Sequence, residues 1–383
     1  MSTNSGTRLW QLRKLWRFIS IYGPGRTLYK VAGRLRMRLP RLGWRRIERD
    51  IGIIGCGQFA FATIGYFLNR AFGSRIAVCF DPDDRAAQTF ARGHSVPRIS
   101  SSAADLLAQA GLRVVYVASN HASHAEYGVE ALRAGLDVYL EKPVAISRPQ
   151  LVELERARRG ARGKLFAGYN RPFSGAMRDL HAAMNIDPAG GFSLQCFVSG
   201  HVLAADHWYR RPEEGTRICG NVGHWLDLFV HLLGWRGQPD RVDIALSWAR
   251  DDEPDDNLTI ALTTDRGDIC SIMLSSRTEP FEGINESINL QHGTAIAKID
   301  DFRSATLWQG DRLARRRYWP KDVGHRLAIL QPFRHDSPRD WTEVLMSTLL
   351  MLKITDMVRA RARSAVFSMV EERSALEEAV SDV

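Results

Sequence analysis

The chain has 383 residues, of which 45% are hydrophobic and 25% charged, an ordinary composition for a globular protein. This length favours two domains over a single core. Its five cysteines form neither a CxxC pair nor a metal-ligand spacing, and no apolar run has the length of a membrane span or the pattern of a secretory signal. We therefore expect a cytoplasmic protein with buried thiols, without a disulfide framework or a metal centre.

The net charge of +9 is concentrated in an N-terminal arm. Residues 1–49 hold thirteen lysines and arginines against one acid, so the rest of the chain is close to neutral. An apolar stripe at helical spacing crosses the arm, with a break at the Gly-Pro-Gly of positions 23–25. The stripe begins with Leu9, Leu12, Trp16 and Ile19.

Two interpretations of this arm remain open. A basic amphipathic helix over residues 1–40 can lie on the anionic inner face of a membrane. The same stripe can instead pack against a partner subunit. Nucleic acid is not expected as a partner, because no zinc ligands or nucleic-acid-binding module accompany the arginines.

From residue 50 onwards, short apolar runs alternate with helical patterns. Strands separated in this way predict βαβ units and a parallel sheet. We assign this domain to residues 50–172. Its predicted strands include residues 51–54, 76–80, 114–118 and 137–140.

Beyond about residue 190 the pattern changes to consecutive strands. We expect residues 173–383 to form an α+β domain with a large, mostly antiparallel open sheet, ending in a long amphipathic helix over 341–363. Predicted strands are 193–202, 242–248, 258–263, 269–275, 287–290 and 295–299.

The stretch GIIGCGQFA, residues 52–60, is typical of a dinucleotide-binding turn in a Rossmann-type sheet. Gly55 permits the tight turn after the strand, Gly57 lets the backbone approach a pyrophosphate, and Ala60 allows close strand–helix packing. Phosphates would rest on the helix N-terminus, beside Gln58 and Phe59. The pattern alone is weak, because glycine-rich turns are common.

A carboxylate that suits the same cofactor follows this turn further along the chain. In the stretch AVCFDPDD, Asp81 ends the second predicted strand, where it can accept hydrogen bonds from a ribose diol. A carboxylate in that place disfavours a 2′-phosphate, so NAD is expected in preference to NADP. The alternative role for Asp81 is that of a turn residue before Pro82.

Lys142 follows a short buried strand in the stretch DVYLEKPVAIS. A lysine at that point is either a solvated cap on the sheet edge or an ammonium directed into a cleft. Local sequence does not decide between these alternatives.

The series GIIGCGQFA, FDPDD, VVYVASNHASHAE, LEKPVAIS and FAGYNRPF resembles the glucose–fructose oxidoreductase / inositol dehydrogenase (Gfo/Idh/MocA) family over roughly residues 50–233. The resemblance implies a bound nicotinamide cofactor, with Glu141, Lys142 and Pro143 beside it. The resemblance also implies that the Lys142 ammonium points towards the reacting oxygen. A lysine that is partly desolvated beside a cofactor can lose its proton near neutral pH, so Lys142 can take part in acid–base catalysis. Ser119 and Asn120 would border the cofactor.

The segment RICGNVGHWLDLF, residues 217–229, looks like the family's H-x-x-D helix. By that resemblance His224 is the candidate base for oxidation or acid for reduction, with an ordinary pKa near the working pH. The alternative is a histidine held within an interdomain core. Asp227 is expected to be structural.

This segment also departs from the family pattern. Many members carry an aspartate four residues before the histidine, where this chain has Gly220. Asn221 stands instead three residues before it, and an amide can hold a hydroxyl but cannot take its proton. Either His224 and Lys142 suffice, or ordinary dehydrogenase activity has been lost.

Two further groups complete the expected substrate pocket, and both contain aromatic and basic residues. In the group before the histidine helix, the aromatic pair suits a sugar face and Arg210 and Arg211 suit a phosphate, although a surface loop with incidental arginines accounts for these residues equally well. The two groups are Tyr169, Asn170 and Arg171 after the last Rossmann-type strand, and Trp208, Tyr209 and Arg210 before the histidine helix.

Together these features predict an NAD(P)-dependent oxidoreductase that transfers a hydride to or from a secondary hydroxyl or ketone of a sugar or nucleotide sugar, in polysaccharide or glycan biosynthesis. A homo-oligomer is expected by analogy with the family. One alternative is a cofactor-binding regulatory or scaffold protein without dehydrogenase activity. Another is a redox-assisted epimerase or lyase that retains its NAD.

Overall fold

The computed structural model describes residues 3–37, 48–334 and 339–382. Within these ranges the chain builds one sheet of six strands and one of nine, with helices packed around them. The first sheet is parallel and the second is mostly antiparallel. The α/β fold class expected from the sequence is thereby confirmed.

The N-terminal arm forms helix α1 (Thr3–Leu35), which is kinked at Gly23. There φ is 76°, a conformation that glycine adopts at little cost. One face of the arm is buried through Phe18, Ile21 and Ala32. The end of the predicted stripe, at 38–40, lies outside the described residues.

The inner face of α1 packs against the same chain. The Tyr29 ring meets Tyr66 edge-on at 5.0 Å, and the Trp319 indole donates a hydrogen bond to the carbonyl of Ser20 at 2.9 Å. The question of a membrane or a partner subunit therefore concerns only the outer face.

The strands of the first sheet are buried on both faces, except for the two exposed residues at its edge, 98 and 99. Burial on both faces accounts for the nearly continuous apolar sequences of the buried strands. The strands are β1 (Ile51–Ile54), β2 (Ile76–Phe80), β3 (Arg98–Ile99), β4 (Val114–Val117), β5 (Asp137–Leu140) and β6 (Leu165–Ala167), in the order β3-β2-β1-β4-β5-β6. The helices between them are α2 (Gly65–Phe72), α3 (Asp84–His94), α4 (Ala103–Leu107), α5 (His121–Arg133) and α6 (Arg148–Gly160).

Helices cover one face of the second sheet, so alternate residues of strands such as β8 and β9 are buried. Its strands are β7 (Ser193–Ser199), β8 (Arg241–Trp248), β9 (Leu258–Thr264), β10 (Ile269–Ser275), β11 (Asn285–His292), β12 (Ala295–Asp300), β13 (Ser304–Gln309), β14 (Arg312–Arg317) and β15 (Ser364–Ser368). They lie in the order β14-β13-β12-β11-β7-β10-β9-β8-β15, and β10 runs parallel to β7. The accompanying helices are α7 (Gly175–Ala183), α8 (Gly223–Gly234), α9 (His325–Ile329), α10 (Trp341–Arg359) and α11 (Met369–Ser381).

The structure differs from the sequence-based prediction mainly near the C-terminus. The predicted helix over 341–363 ends at Arg359, because Arg361 adopts a φ of 58°, and β15 then joins the sheet beside β8. Strands β13 to β15 were not predicted. All six residues of β14 are exposed, so its sequence carries no alternation, and only pairing with β13 makes it a strand.

Strand β6 ends at Ala167 and β7 begins at Ser193. The domain boundary that we propose at residue 172 therefore falls in the connection between the two sheets. Among the described residues, no helix combines the length and hydropathy needed to cross a bilayer.

Gly55 gives a test of the turn that follows β1. Its φ is +88°, and an added Cβ would lie 2.5 Å from the backbone of Ala118. Gly55→Ala should therefore lower the free energy of unfolding by at least about 2 kcal/mol, measured by urea denaturation. The matched control is Gly57→Ala, because a Cβ on Gly57 meets no atom within 4 Å. Equal stability of the two variants would contradict this account of the turn.

Candidate functional site

The glycine turn lies at the carboxyl edge of the parallel sheet, directly after β1. The backbone of Gly57 faces open space, and the following helix begins at Gln58, with Phe59 next. The first N–H groups of a helix have no intrahelical acceptor and suit an anion. A π-helical turn, Ala60–Ile64, then leads into α2, and its first residue is buried.

Asp81 is held against this turn. One carboxylate oxygen accepts the backbone N–H of Cys56 at 2.7 Å, and the other accepts that of Asp83 at 2.8 Å. Each oxygen has a further lone pair, so the carboxylate can still accept a hydroxyl. The glycine turn and Asp81 are thus adjacent, so that one dinucleotide could contact the turn with its pyrophosphate and Asp81 with a ribose.

Glu141 and Lys142 follow β5 at the same edge. The Glu141 carboxylate is buried and accepts hydrogen bonds from the Tyr139 hydroxyl at 2.9 Å and the Lys142 backbone N–H at 3.2 Å. Burial raises the pKa of Glu141 to about 7, although Lys142 and Tyr139 oppose the shift. Glu141 therefore supports the turn from inside, and the peptide bond between Lys142 and Pro143 is cis.

The Lys142 ammonium faces the second half of the chain. Its Nζ donates to the carbonyl of Gly220 at 2.8 Å. Burial lowers the pKa of Lys142 to about 8, with Glu141 opposing and Arg171 adding to the shift. The ammonium is thus withdrawn from bulk water and is not a solvated cap on the sheet edge, while its place in a substrate cleft stays a prediction.

His224 lies in the first turn of α8, just after a π-helical turn over Ile218–Val222. Its Nδ1 is buried without a hydrogen-bond partner among the described residues. Burial, together with the charges of Arg171 and Lys142, lowers the pKa of His224 well below its usual value. The buried setting thus favours the neutral imidazole and departs from the ordinary histidine pKa near the working pH.

The absence of the family's aspartate at Gly220 has a steric cause. A Cβ at this position would lie 2.6 Å from the Tyr209 ring and 2.9 Å from the ring of His121. The phenol ring thus fills the space of an acidic side chain. Next to it, Asn221 is buried, and its Oδ1 has no hydrogen-bond partner among the described residues.

Three residues predicted at the cofactor or substrate are engaged with the protein itself. Asn120 donates to a Glu214 carboxylate oxygen at 2.7 Å, and Ser119 accepts from the Ser123 hydroxyl at 2.8 Å. Asn170 donates to the carbonyl of Val323 at 2.5 Å. These bonds fix the crevice walls, so contacts from these side chains to a ligand would need rearrangement.

The remaining predicted substrate residues divide into aromatic and basic groups. The rings of Trp208 and Tyr209 pack on His121 at 4.7 and 4.8 Å, while Tyr169 is buried. Arg171 is paired with Glu286 at 3.0 Å. Arg171 is thus held by a carboxylate of this chain, and its place in the substrate pocket stays a prediction.

Arg210 is engaged in the same way. Its guanidinium pairs with Asp256 at 2.8 Å and Glu253 at 3.3 Å, and it also donates to the carbonyls of Leu203 and Ala204. A guanidinium already held by two carboxylates is not available to grip a phosphate.

A cavity of about 470 Å³ opens beside His224 and Arg171. Its volume is in the range of small-molecule sites. Sequence reasoning missed much of its wall, which includes Phe18, Tyr22, Arg26 and Lys30 of the arm, and Lys321 and His325 of the second half. The four arm residues follow one another at intervals of four, a helical spacing that could have marked them as one face.

Comparisons with known proteins agree with this geometry. Residues 49–169 match the model of an oxidoreductase family with an NAD-binding Rossmann fold. The inositol 2-dehydrogenase of Gluconacetobacter diazotrophicus is 32% identical over 196 residues, which cover 48% of this chain and 54% of that protein. The chain thus spans about half the length of the curated relatives it matches.

The fold of the described chain, including its second sheet, is similar to that of several solved structures. GenD2 from gentamicin A biosynthesis, solved in complex with NAD, covers 86% of this chain and 99% of its own, with a TM-score of 0.67 and 17% identity. A variant of KijD10, a 3-ketoreductase from Actinomadura kijaniata solved with TDP-benzene and NADP, covers 82% and 97%, with a TM-score of 0.65 and 16% identity. Residues 49–169, which include the glycine turn and the E-K-P turn, therefore match the Gfo/Idh/MocA oxidoreductase family, and the fold of the described chain is similar to that of solved structures from this family.

Proposed function

We propose that this protein is an NAD-dependent dehydrogenase or reductase that acts on a secondary hydroxyl or ketone of a sugar or nucleotide sugar. The observation that carries the proposal is that Lys142, at the edge of the sheet that holds the glycine turn, bonds to the turn just before His224 and lies close enough for its charge to lower the pKa of His224. The known activities of the inositol dehydrogenase and ketoreductase relatives support the same substrate class.

The described residues fit the cofactor. Gly57, Gln58 and Phe59 would hold the pyrophosphate, and Asp81 would hold a ribose diol. The carboxylate of Asp81 favours NAD, because a 2′-phosphate would meet a like charge. When bound, the nicotinamide accepts or donates the hydride.

The side chains of this protein would then accept or donate the proton of the reacting hydroxyl. A neutral His224 can accept the hydroxyl proton during oxidation, and Lys142 can hold the reacting oxygen with its ammonium. For reduction, Lys142 is the better proton donor, because its pKa of about 8 keeps it mostly charged at pH 7, whereas burial disfavours the acidic imidazolium form of His224.

Lys142→Met tests this assignment. We expect kcat to fall about 10²–10⁴-fold while the Kd of NAD changes only a few-fold, measured by NADH absorbance over a panel of sugars and by titration calorimetry. Lys298→Met, at an exposed position of β12, is the matched control. Undiminished turnover in Lys142→Met would remove the lysine from the mechanism.

The same panel separates the alternatives that the departure at Gly220 suggests. A regulatory or scaffold protein would bind NAD and turn over no sugar. A redox-assisted epimerase or lyase would convert its sugar with tightly held NAD and no net release of NADH.

The pH dependence of the reaction provides a second test. Lys142 is protonated below a pKa of about 8 and neutral above it, because burial disfavours the charged form. In the reductive direction kcat should therefore fall as pH rises through about 8, and Lys142→Met should lack this limb. A limb near 10.5, the ordinary value for lysine, would contradict the desolvated environment.

We further propose that the outer face of α1 meets the cytoplasmic side of a membrane, close to glycan assembly. Trp16 is 72% exposed and Leu12 62% exposed on a helix rich in arginine. An apolar face of this kind can enter the headgroup region of an anionic leaflet.

The double variant Leu12→Ser/Trp16→Ser tests the membrane contact. We expect it to lose at least about tenfold in partitioning onto phosphatidylglycerol vesicles, measured by sedimentation. Val370→Ser, which removes an exposed apolar side chain from α11, is the control. Equal sedimentation of all three proteins would leave a partner subunit as the expected occupant of this face.

A further inference from the structure

The arm contributes a wall to the cavity beside His224. Phe18, Tyr22, Arg26 and Lys30 face it from α1, opposite Phe59 and Thr63 of the helix that follows the glycine turn. The kink at Gly23 folds the arm, so that the Lys30 Nζ lies 4.0 Å from the centre of the Phe18 ring. The backbone carbonyl of Lys30 is anchored by the side chain of Gln58 at 3.0 Å.

Most charges around this cavity are already compensated. Arg171 and Glu286 form a buried pair, which the Trp225 indole completes with a hydrogen bond to the carboxylate at 2.9 Å. Lys321 pairs with Asp301, and Glu282 with Arg17. The acidic residues of the wall are therefore not free to neutralise another cation.

Two cations of the wall are not compensated. Within the described ranges, neither Arg26 nor Lys30 forms an ion pair; the Arg26 guanidinium has one weak hydrogen bond, to the Thr63 hydroxyl at 3.4 Å, and lies over the rings of Tyr22 and Phe67. Both side chains are half-buried. A cation removed from water without a counter-ion is unfavourable.

The electrostatic surroundings of these two groups favour an anion. Burial lowers the pKa of Lys30 to about 8, and the positive charges of Arg34, Arg26 and Lys14 add to the shift, while Glu279 opposes it. Burial also lowers the pKa of Arg26. A bound anion would reverse both effects by supplying opposite charge within the same cavity.

We propose that the arm completes the substrate pocket and that Arg26 and Lys30 bind the phosphate or diphosphate of a phosphorylated sugar substrate. This inference rests on the proposed function, since it places the anion on the substrate. A phosphate ester carries close to two charges at pH 7 and so matches two cations, whereas a carboxylate matches one. A guanidinium fork beside an ammonium is also a donor set suited to phosphate oxygens.

The arm thereby takes the phosphate-binding role that the sequence analysis gave to Arg210 and Arg211. Arg210 is held by a carboxylate of this chain, as is Arg171 in the cavity wall. Arg26 and Lys30 reach the cavity from a part of the sequence that carries no sugar-binding pattern.

The test uses the full-length protein saturated with NAD and inorganic pyrophosphate as the probe, with affinity measured by titration calorimetry. Arg26→Met/Lys30→Met should weaken pyrophosphate binding at least about tenfold for each charge removed. Arg13→Met removes an exposed cation of the same helix that does not act on Arg26 or Lys30; it is the matched control and should bind as the wild type does. Arg26→Gln/Lys30→Gln repeats the measurement with polar side chains in case the first variant loses its arm packing.

Unchanged pyrophosphate affinity in both double variants would overturn the proposal. A loss of NAD affinity in them, with pyrophosphate binding by the wild type absent, would also overturn it, because the cations would then serve the cofactor. If pyrophosphate binding is lost as expected while no sugar is turned over by the wild type, the anion subsite stands and the proposed dehydrogenase function fails.

Discussion

The hydrogen bond from the Lys142 ammonium to the carbonyl of Gly220 joins the two halves of the site. The lysine comes from the edge of the parallel sheet, and the carbonyl belongs to the π-helical turn that precedes α8 and His224. A neutral carbonyl holds the ammonium in place without cancelling its charge. An aspartate at position 220 would instead stabilise the charged lysine and raise its pKa. The glycine thus changes the acid–base character of Lys142 as well as making room for Tyr209.

A shared physical cause acts on the ionisable groups of the crevice. Burial raises the pKa of Glu141 and lowers those of Lys142 and His224, so that all three move towards their neutral forms. The groups remain close enough to influence one another, since the charge of Lys142 contributes to the shift at His224. Glu141 and Lys142 can therefore exchange protons near neutral pH, while His224 is favoured as a neutral proton acceptor.

The arm connects this crevice to the outer surface of the protein. Its inner face lies against the helix after the glycine turn and against the second half of the chain, through Gln58 and Trp319. Its outer face keeps Leu12 and Trp16 in solvent. One helix thus presents a polar and aromatic wall to the cavity and an apolar, basic face to the surroundings, which places substrate binding and any surface attachment on the same element.

The sequence by itself determined the parallel sheet, the glycine turn, Asp81 and the position of Lys142, because each depends on local spacing: strand length, a positive φ at Gly55, and a lysine placed just after a strand. It also placed β8 to β12 to within a few residues, since one covered face imposes alternation on their side chains. It could not predict β14 or β15, whose pairing rather than composition makes them strands. Only the tertiary structure decided that Arg171 and Arg210 are engaged by distant carboxylates, that burial favours a neutral His224, and that Arg26 and Lys30 face the cavity. Charge pairing and desolvation depend on which residues meet across long separations in the chain, and one-dimensional spacing does not contain that information.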